Sequence, residues 1–482
     1  MSTEPASRSR RASSRRRRGR AFVVTLVSVA AVLGILGLSG AVASSVQGPR
    51  VTAVQVDPQA AVAASGSRLI VTTNQSLEKI KPSQVQVTPA AAFTVDTAGR
   101  SAGVRFTLPL HEDTSYTVRV RDVAGLGGGP KTTITETFRT PRLSLYLLRR
   151  GAGTDTIYRT NLASDALTPV YTHPHIEDFR ATSDHLVVSV LDTHQHGQLL
   201  VTDLAGKHAR RLRLPGVGNV TNMQSADRGD LIGFEWTDAV LGTPTSRENA
   251  LYTISLRAPA GTAPSRVAVP GKDTRVADWR FVPDTDAILV LPYTGRMLLT
   301  ASTGKDATDL GAGVDIEGIA RGSSVAVVQR ADGVFAIDLA SGKQHRLAKA
   351  MASNGQPVRG SAGHIAPVPG VGGGTVRLFT LLGAGDRDEG TTAYRVTDTG
   401  AATPIFHVSG ADAVMQTCVS PSARYAAILV DPNVVTDSYD TYLAPMPKHL
   451  VTHIVELSTG REVRQYPGFA ASWCQLSPVA FQ

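Results

Sequence analysis

The chain reads as an all-β protein, a β-sandwich followed by a seven-bladed β-propeller, with one apolar helix ahead of both. Three observations predict this. Short alternating runs broken by turn residues begin near residue 51, a strand-only unit recurs seven times after residue 142, and 23 consecutive residues near the N-terminus carry no charge. Alternation at period two is the mark of half-buried strands, and strand-only repeats of 40 to 60 residues indicate a solenoid or a propeller.

Charge defines the first element. The 482 residues carry a formal net charge of +9, yet residues 1–20 alone hold eight Arg against Glu4, so the rest of the chain is close to neutral. No aromatic residue interleaves that basic block, which argues against a nucleic-acid surface. The uncharged stretch at 21–43 is ~34 Å long as a helix, enough to span a hydrocarbon core. The Arg-rich stub before it places the N-terminus in the cytoplasm by the positive-inside rule. Residues 21–43 are therefore expected to be a transmembrane helix contacting the lipid bilayer. The protein would then be a single-pass protein of the cell membrane with its bulk outside. Ala41-Val42-Ala43 keeps a cleaved secretory signal open as the alternative. Export would place Cys418 and Cys474, the only cysteines, where disulfides persist, and they are expected to pair.

Residues 48–141 contain the runs VTAVQVDP, SRLIVTTN, VQVTPAAAFTVD, GVRFTLP, SYTVRVRDV and TTITETFRTP, a length and pattern suited to one antiparallel sandwich. Tyr116, the turn at 122–129 and Phe138-Arg139-Thr140 resemble the ending of bacterial Ig-like domains of S-layer proteins. That resemblance implies an Ig-like β-sandwich acting as a spacer or stalk.

From 142 to 482 an apolar strand with a Ser/Thr/Ala/Gly turn recurs, as in TIYRTNLASD, LLVTDLAGK, GVFAIDLASGK and THIVELSTGR, interleaved with a second apolar strand seven times. The first turn motif has one strand before it and the last has an extra strand after it, around residues 473–481. The final strand is thus expected to complete the first blade and abolish an open edge. Cys418 and Cys474 would clip that seam. Both motifs resemble TolB-like and WD-repeat propellers, with Ser420-Pro421-Ser422-Ala423-Arg424-Tyr425-Ala426-Ala427-Ile428 as the nearest copy of their S-P-D-G-x-x-I-A-F signature, lacking its Asp-Gly pair. The resemblance implies architecture rather than a particular activity.

Function is sought on the loops opposite the short turns. The longest, at 431–450, offers Asp437, Tyr439, Asp440, Tyr442 and Met446 as binding residues. His173, His175, His194 and His196 cluster in neighbouring loops and form the candidate set for a divalent metal, although scattered solvated histidines in polar loops are the commoner explanation. No cofactor is otherwise expected. No nucleophile elbow, zinc-protease helix or phosphate loop occurs, and no catalytic residue can be named. The leading expectation is a membrane-anchored extracytoplasmic binding or scaffold protein whose loop face holds an envelope protein or glycan. The alternative is an exported propeller enzyme, a hydrolase or lyase acting on carbohydrate.

Overall fold

The computed structural model describes residues 48–478 apart from 228–229, 303–305 and 371, together with Val27, Val29 and Val32. Among the described residues no helix is long and apolar enough to cross a membrane. A crossing needs about 20 consecutive apolar helical residues, so the single-pass anchor expected from 21–43 is corrected. Most of that stretch and the Arg-rich stub lie outside the described residues.

The first folded part contains seven strands: β1 Val51–Gln55, β2 Arg68–Thr73, β3 Val85–Thr88, β4 Phe93–Ala98, β5 Ser101–Phe106, β6 Ser115–Val123 and β7 Thr132–Arg139. They form two antiparallel sheets, β1-β2-β5-β4 and β3-β6-β7. Alternating residues of both sheets, among them Leu69, Val71, Val104, Phe106, Val118 and Val120, meet in one buried cluster. One short helix, α1 at Pro58–Ala63, is capped by Asp57, whose carboxylate accepts the amides of Gln59 and Ala60, both at 3.0 Å. Tyr116, near the start of β6, accepts the amide of His111 on its hydroxyl at 3.0 Å, fixing the corner between strands.

The remaining described residues form seven antiparallel sheets, the blades of a β-propeller. Six have four strands in sequence order and one has three. That three-stranded blade 1 consists of β8 Leu145–Arg149, β9 Asp155–Thr160 and β10 Thr168–His173. Its missing innermost position is taken by residues 469–472. Leu148 and Phe469 exchange backbone hydrogen bonds at 2.8 and 2.9 Å, and the amide of Ser472 donates to the carbonyl of Tyr146 at 3.0 Å. The ring is closed as expected, but one segment earlier than the sequence suggested. Gly468, at φ +121, turns the chain so that pairing begins at once with Phe469. Residues 473–478 then leave the blade edge and run into the channel, where the carbonyl of Leu476 accepts Gln416 Nε2 at 3.0 Å. The Cys418–Cys474 disulfide is present and joins the inner strand of blade 7, Ala413–Val419, to this closing segment.

In blades 2 to 7 every inner strand carries a register shift against its neighbour, at 176/178, 221/224, 276/278, 316/318, 362/365 and 414/416. A bulge bends the strand and re-aims side chains. It is at or beside these bulges that Glu177, Asn222, Glu317 and His364 occur.

The sandwich sits over the turns that link first to second strands of the blades. Glu112 faces Ser422 and Arg424 of blade 7, Ser65 bonds Asp284 of blade 4, and Leu108 packs where Gly322 of blade 5 and Gly370 of blade 6 have no side chain. A Cβ on Gly322 would collide with Leu108, and its φ of +70 suits glycine as well.

Candidate functional site

Two places deserve comparison: the channel and the loop face opposite the sandwich. The channel is lined by paired charges. Asp178 accepts Arg180 Nη1 at 2.9 Å and the hydroxyl of Ser477, while Arg280 pairs with Asp278 and donates to the carbonyl of Ile316 at 2.5 Å. Glu317 holds both His364 Nδ1, at 3.0 Å, and the amide of Ile365, at 2.8 Å. Burial pushes the carboxyls of Asp178 and Asp278 up from their ordinary range, against the attraction of the neighbouring guanidinium groups. Glu235 is pushed up to about 8 by burial, although Asn222 Nδ2 donates to it at 2.7 Å. The cavity among Arg280, Glu317, His364, Gln416 and Trp473 is about 80 Å³. Small-molecule sites are roughly 300–1,000 Å³, so this space suits solvent rather than a sugar chain.

The loop face is built differently. The 431–450 segment folds back across blades 1 and 2 instead of projecting. Asp440 pairs with Arg150 at 2.8 Å, and Arg150 also lies 3.8 Å over the ring of Tyr442. The Tyr442 hydroxyl donates to the buried carboxylate of Asp155 at 2.8–2.9 Å, its ring stacks on His175, and Met446 is buried among Leu148, Leu450 and Phe469. Burial and the Asp155 carboxylate raise the Tyr442 phenol well above its usual range. Asp437 accepts His449 Nδ1 at 2.7 Å and the His449 amide at 2.9 Å. Of the five binding residues expected from sequence, Tyr439 alone has a substantially exposed side chain, at 37%.

The four histidines divide into separate pairs. His173 Nδ1 meets the backbone of His175, His175 Nε2 meets Glu177 at 2.7 Å, and His194 stacks with His196 at 6.1 Å. Among the described residues no group of three or more His, Cys, Asp or Glu side chains is arranged to hold a metal ion. The carboxylates nearest the histidines are already occupied: Asp155 by Tyr442 and the amides of Gly151 and Ile176, Glu177 by His175, Arg150 and the amide of Leu443.

What the sequence reading missed is the distribution of exposed apolar side chains. Val217, Val240, Leu241, Tyr293, Val314, Leu381, Leu382, Val435, Tyr439 and Leu443 are the exposed large hydrophobics among the described residues of the ring. Every one lies on or beside a loop linking second to third strands or one blade to the next, the face away from the sandwich. The signal was available, since GVGN, DAVLG, PYTG and GVD are turn-rich stretches that each hold an apolar residue with no strand partner.

No protein-family profile matches the chain, and no curated protein sequence matches it. Solved structures similar in arrangement include an uncharacterized Listeria monocytogenes protein (9% identity, 67% of this chain and 90% of that one, TM-score 0.43). A putative TolB from Agrobacterium tumefaciens matches at 14% identity over 68% of this chain and 90% of that one, with TM-score 0.35. An oligogalacturonate lyase in complex with manganese matches at 10% identity over 78% and 98%, with TM-score 0.44.

Proposed function

We propose that this chain is a binding protein that engages a partner protein through the propeller face carrying its loops. The observation that supports this is the one-sided array of exposed Val, Leu and Tyr side chains. What supports the reading is that these side chains all fall on one face, on loops of a rigid scaffold, where binding residues gather. Aliphatic residues predominate in that array, which favours a protein surface over a glycan. At the blade 1–2 seam Asp155 and Glu177 are each engaged by several donors, which favours a structural role for these two acids over carbohydrate cleavage.

In this reading the sandwich is the spacer or stalk that carries the propeller. An Ig-like reading of the sandwich is supported by its strand order, β1-β2-β5-β4 and β3-β6-β7, and by the His111 amide donating to the Tyr116 hydroxyl. Seated on the opposite turns, the sandwich leaves the loop face clear.

Affinity capture with the full chain and with a Val240→Asp, Leu241→Asp, Tyr293→Ser variant tests the proposal. Val240 and Leu241 are exposed and Tyr293 gives up only an exposed hydrogen bond from Asn249 and its contact with Arg275, so the fold should be kept while partner recovery falls. Identical recovery by both proteins would end this reading.

A further inference from the structure

Asp431 ends the second strand of blade 7, Tyr425–Asp431, and has no exposed surface. Neither of its carboxylate oxygens meets a hydrogen-bond donor. A buried ionised carboxylate without donors is one of the costliest arrangements in a protein. Its near neighbour is a second acid, Asp437, also buried, whose oxygens accept the amide of Ser438 at 2.8 Å, His449 Nδ1 at 2.7 Å and the amide of His449 at 2.9 Å. Burial, which would raise Asp437, is outweighed by these donors, and it stays ionised.

The other groups facing Asp431 are His449 and Tyr439 of the same loop and Asp412 of the turn entering blade 7. Asp412 is itself committed to the amide of Asn433, at 3.0 Å, and the hydroxyl of Ser409, at 3.1 Å. The adjacent strands present Ala413 and Val451, which carry no charge. His449 is the one basic side chain among these groups, and its ring is already on Asp437.

We propose that Asp431 and Asp437 share a single proton, carried on Asp431, and that this proton latches the base of the 431–450 loop. The neutral Asp431 carboxyl donates to Asp437, which in turn gathers Ser438 and His449 from the two arms of the loop. Backbone bonds from Asp440 to Met446, at 2.9 Å, and from Lys448 to Ser438, at 3.1 Å, close the same base. Loss of the proton leaves two buried carboxylates in contact, and the base opens. The far part of the loop remains held by Arg150 and Asp155.

Burial first, and then the charge of Asp437, push Asp431 up to about 6 from 3.8. Because the closed form binds the proton more tightly, its advantage is complete below the ordinary carboxyl range and is lost as pH rises through about 6. The base carries Val435 and Tyr439, so the consequence for partner binding rests on the loop-face reading above, whereas the latch itself does not.

Hydrogen exchange at the amides of Asp440, Lys448 and His449, in the full chain, tests the latch without any partner. Relative to Asp431→Asn, whose amide group donates to Asp437 at any pH, wild-type protection should fall about tenfold between about pH 5 and about pH 7.5. Asp437→Asn, which supplies a donor from the other side, should flatten the response as well. Equal protection in wild type and Asp431→Asn at both pH values would overturn the proposal. So would calcium or magnesium chloride restoring wild-type protection at about pH 7.5 without acting on Asp431→Asn, since the counter-charge would then be a metal ion.

Discussion

Glu112 of the sandwich and Arg424 of blade 7 approach to 3.6 Å across the junction between the two parts, and Arg424 also donates to the Glu112 carbonyl at 3.2 Å. Arg424 belongs to the Ser420–Ile428 stretch in which an Asp-Gly turn was missing. Substituting Glu112 by Ala removes the carboxylate facing Ser422 and Arg424, leaving Arg424 its bond to the residue 112 carbonyl and its ion pair with Glu456, and should cost ~1 kcal/mol. Chemical denaturation checks this: the transition should move to lower denaturant.

Reducing the Cys418–Cys474 bond, or replacing Cys474 by Ser, releases a closed segment of 56 residues in sequence separation. The chain-entropy estimate for such a loop is about 4 kcal/mol. Thermal unfolding with and without reductant should show a corresponding fall in wild type, and reductant should have no effect on the Cys474→Ser protein.

Tyr442→Phe removes a hydroxyl from the Asp155 carboxylate while the amides of Ile176, at 2.6 Å, and Gly151, at 3.1 Å, remain. Loss of a charge-assisted bond at a buried acid should cost ~1–3 kcal/mol. Equilibrium unfolding should register it, and a change below experimental error would show that Asp155 is satisfied by the backbone alone.

Glu235 gives a pH signature. Its carboxyl is raised from 4.5 to about 8, so its favourable contribution is complete below about 4.5 and disappears as pH climbs through about 8. Glu235→Gln keeps an acceptor for Asn222 and cannot ionise. At pH 8 to 9 the variant should be more stable than wild type by on the order of 5 kcal/mol, and near pH 4 the two should coincide. Denaturant midpoints across that range measure the difference.

The blades were legible because each repeats a local pattern, an apolar strand followed by a small-residue turn, and local patterns are what a sequence displays directly. The seam was legible from the order of those units and from the two cysteines. The exact closing segment was not, since Trp473-Cys474-Gln475-Leu476 looks more strand-like than Phe469-Ala470-Ala471-Ser472. The turn at Gly468 decides the matter only once Leu148 is alongside. The candidate site was harder still. Arg150 and Asp440 lie 290 residues apart, and no spacing rule connects them. Their pairing draws Tyr442 and Met446 inward, so four of the five loop residues that suggested a contact surface serve to hold the loop down. Asp431 is likewise an ordinary acid in sequence, and its isolation from every donor follows from burial.

The described ring begins and ends in the same blade, with the Leu148–Phe469 hydrogen bonds between its two ends. A stretching force applied across the molecule would therefore load that one short pairing first, before any of the six complete blades. The covalent link from Cys474 to Cys418 passes the load sideways into blade 7, so the oxidised ring should resist being peeled open where the reduced one would unzip from its own join.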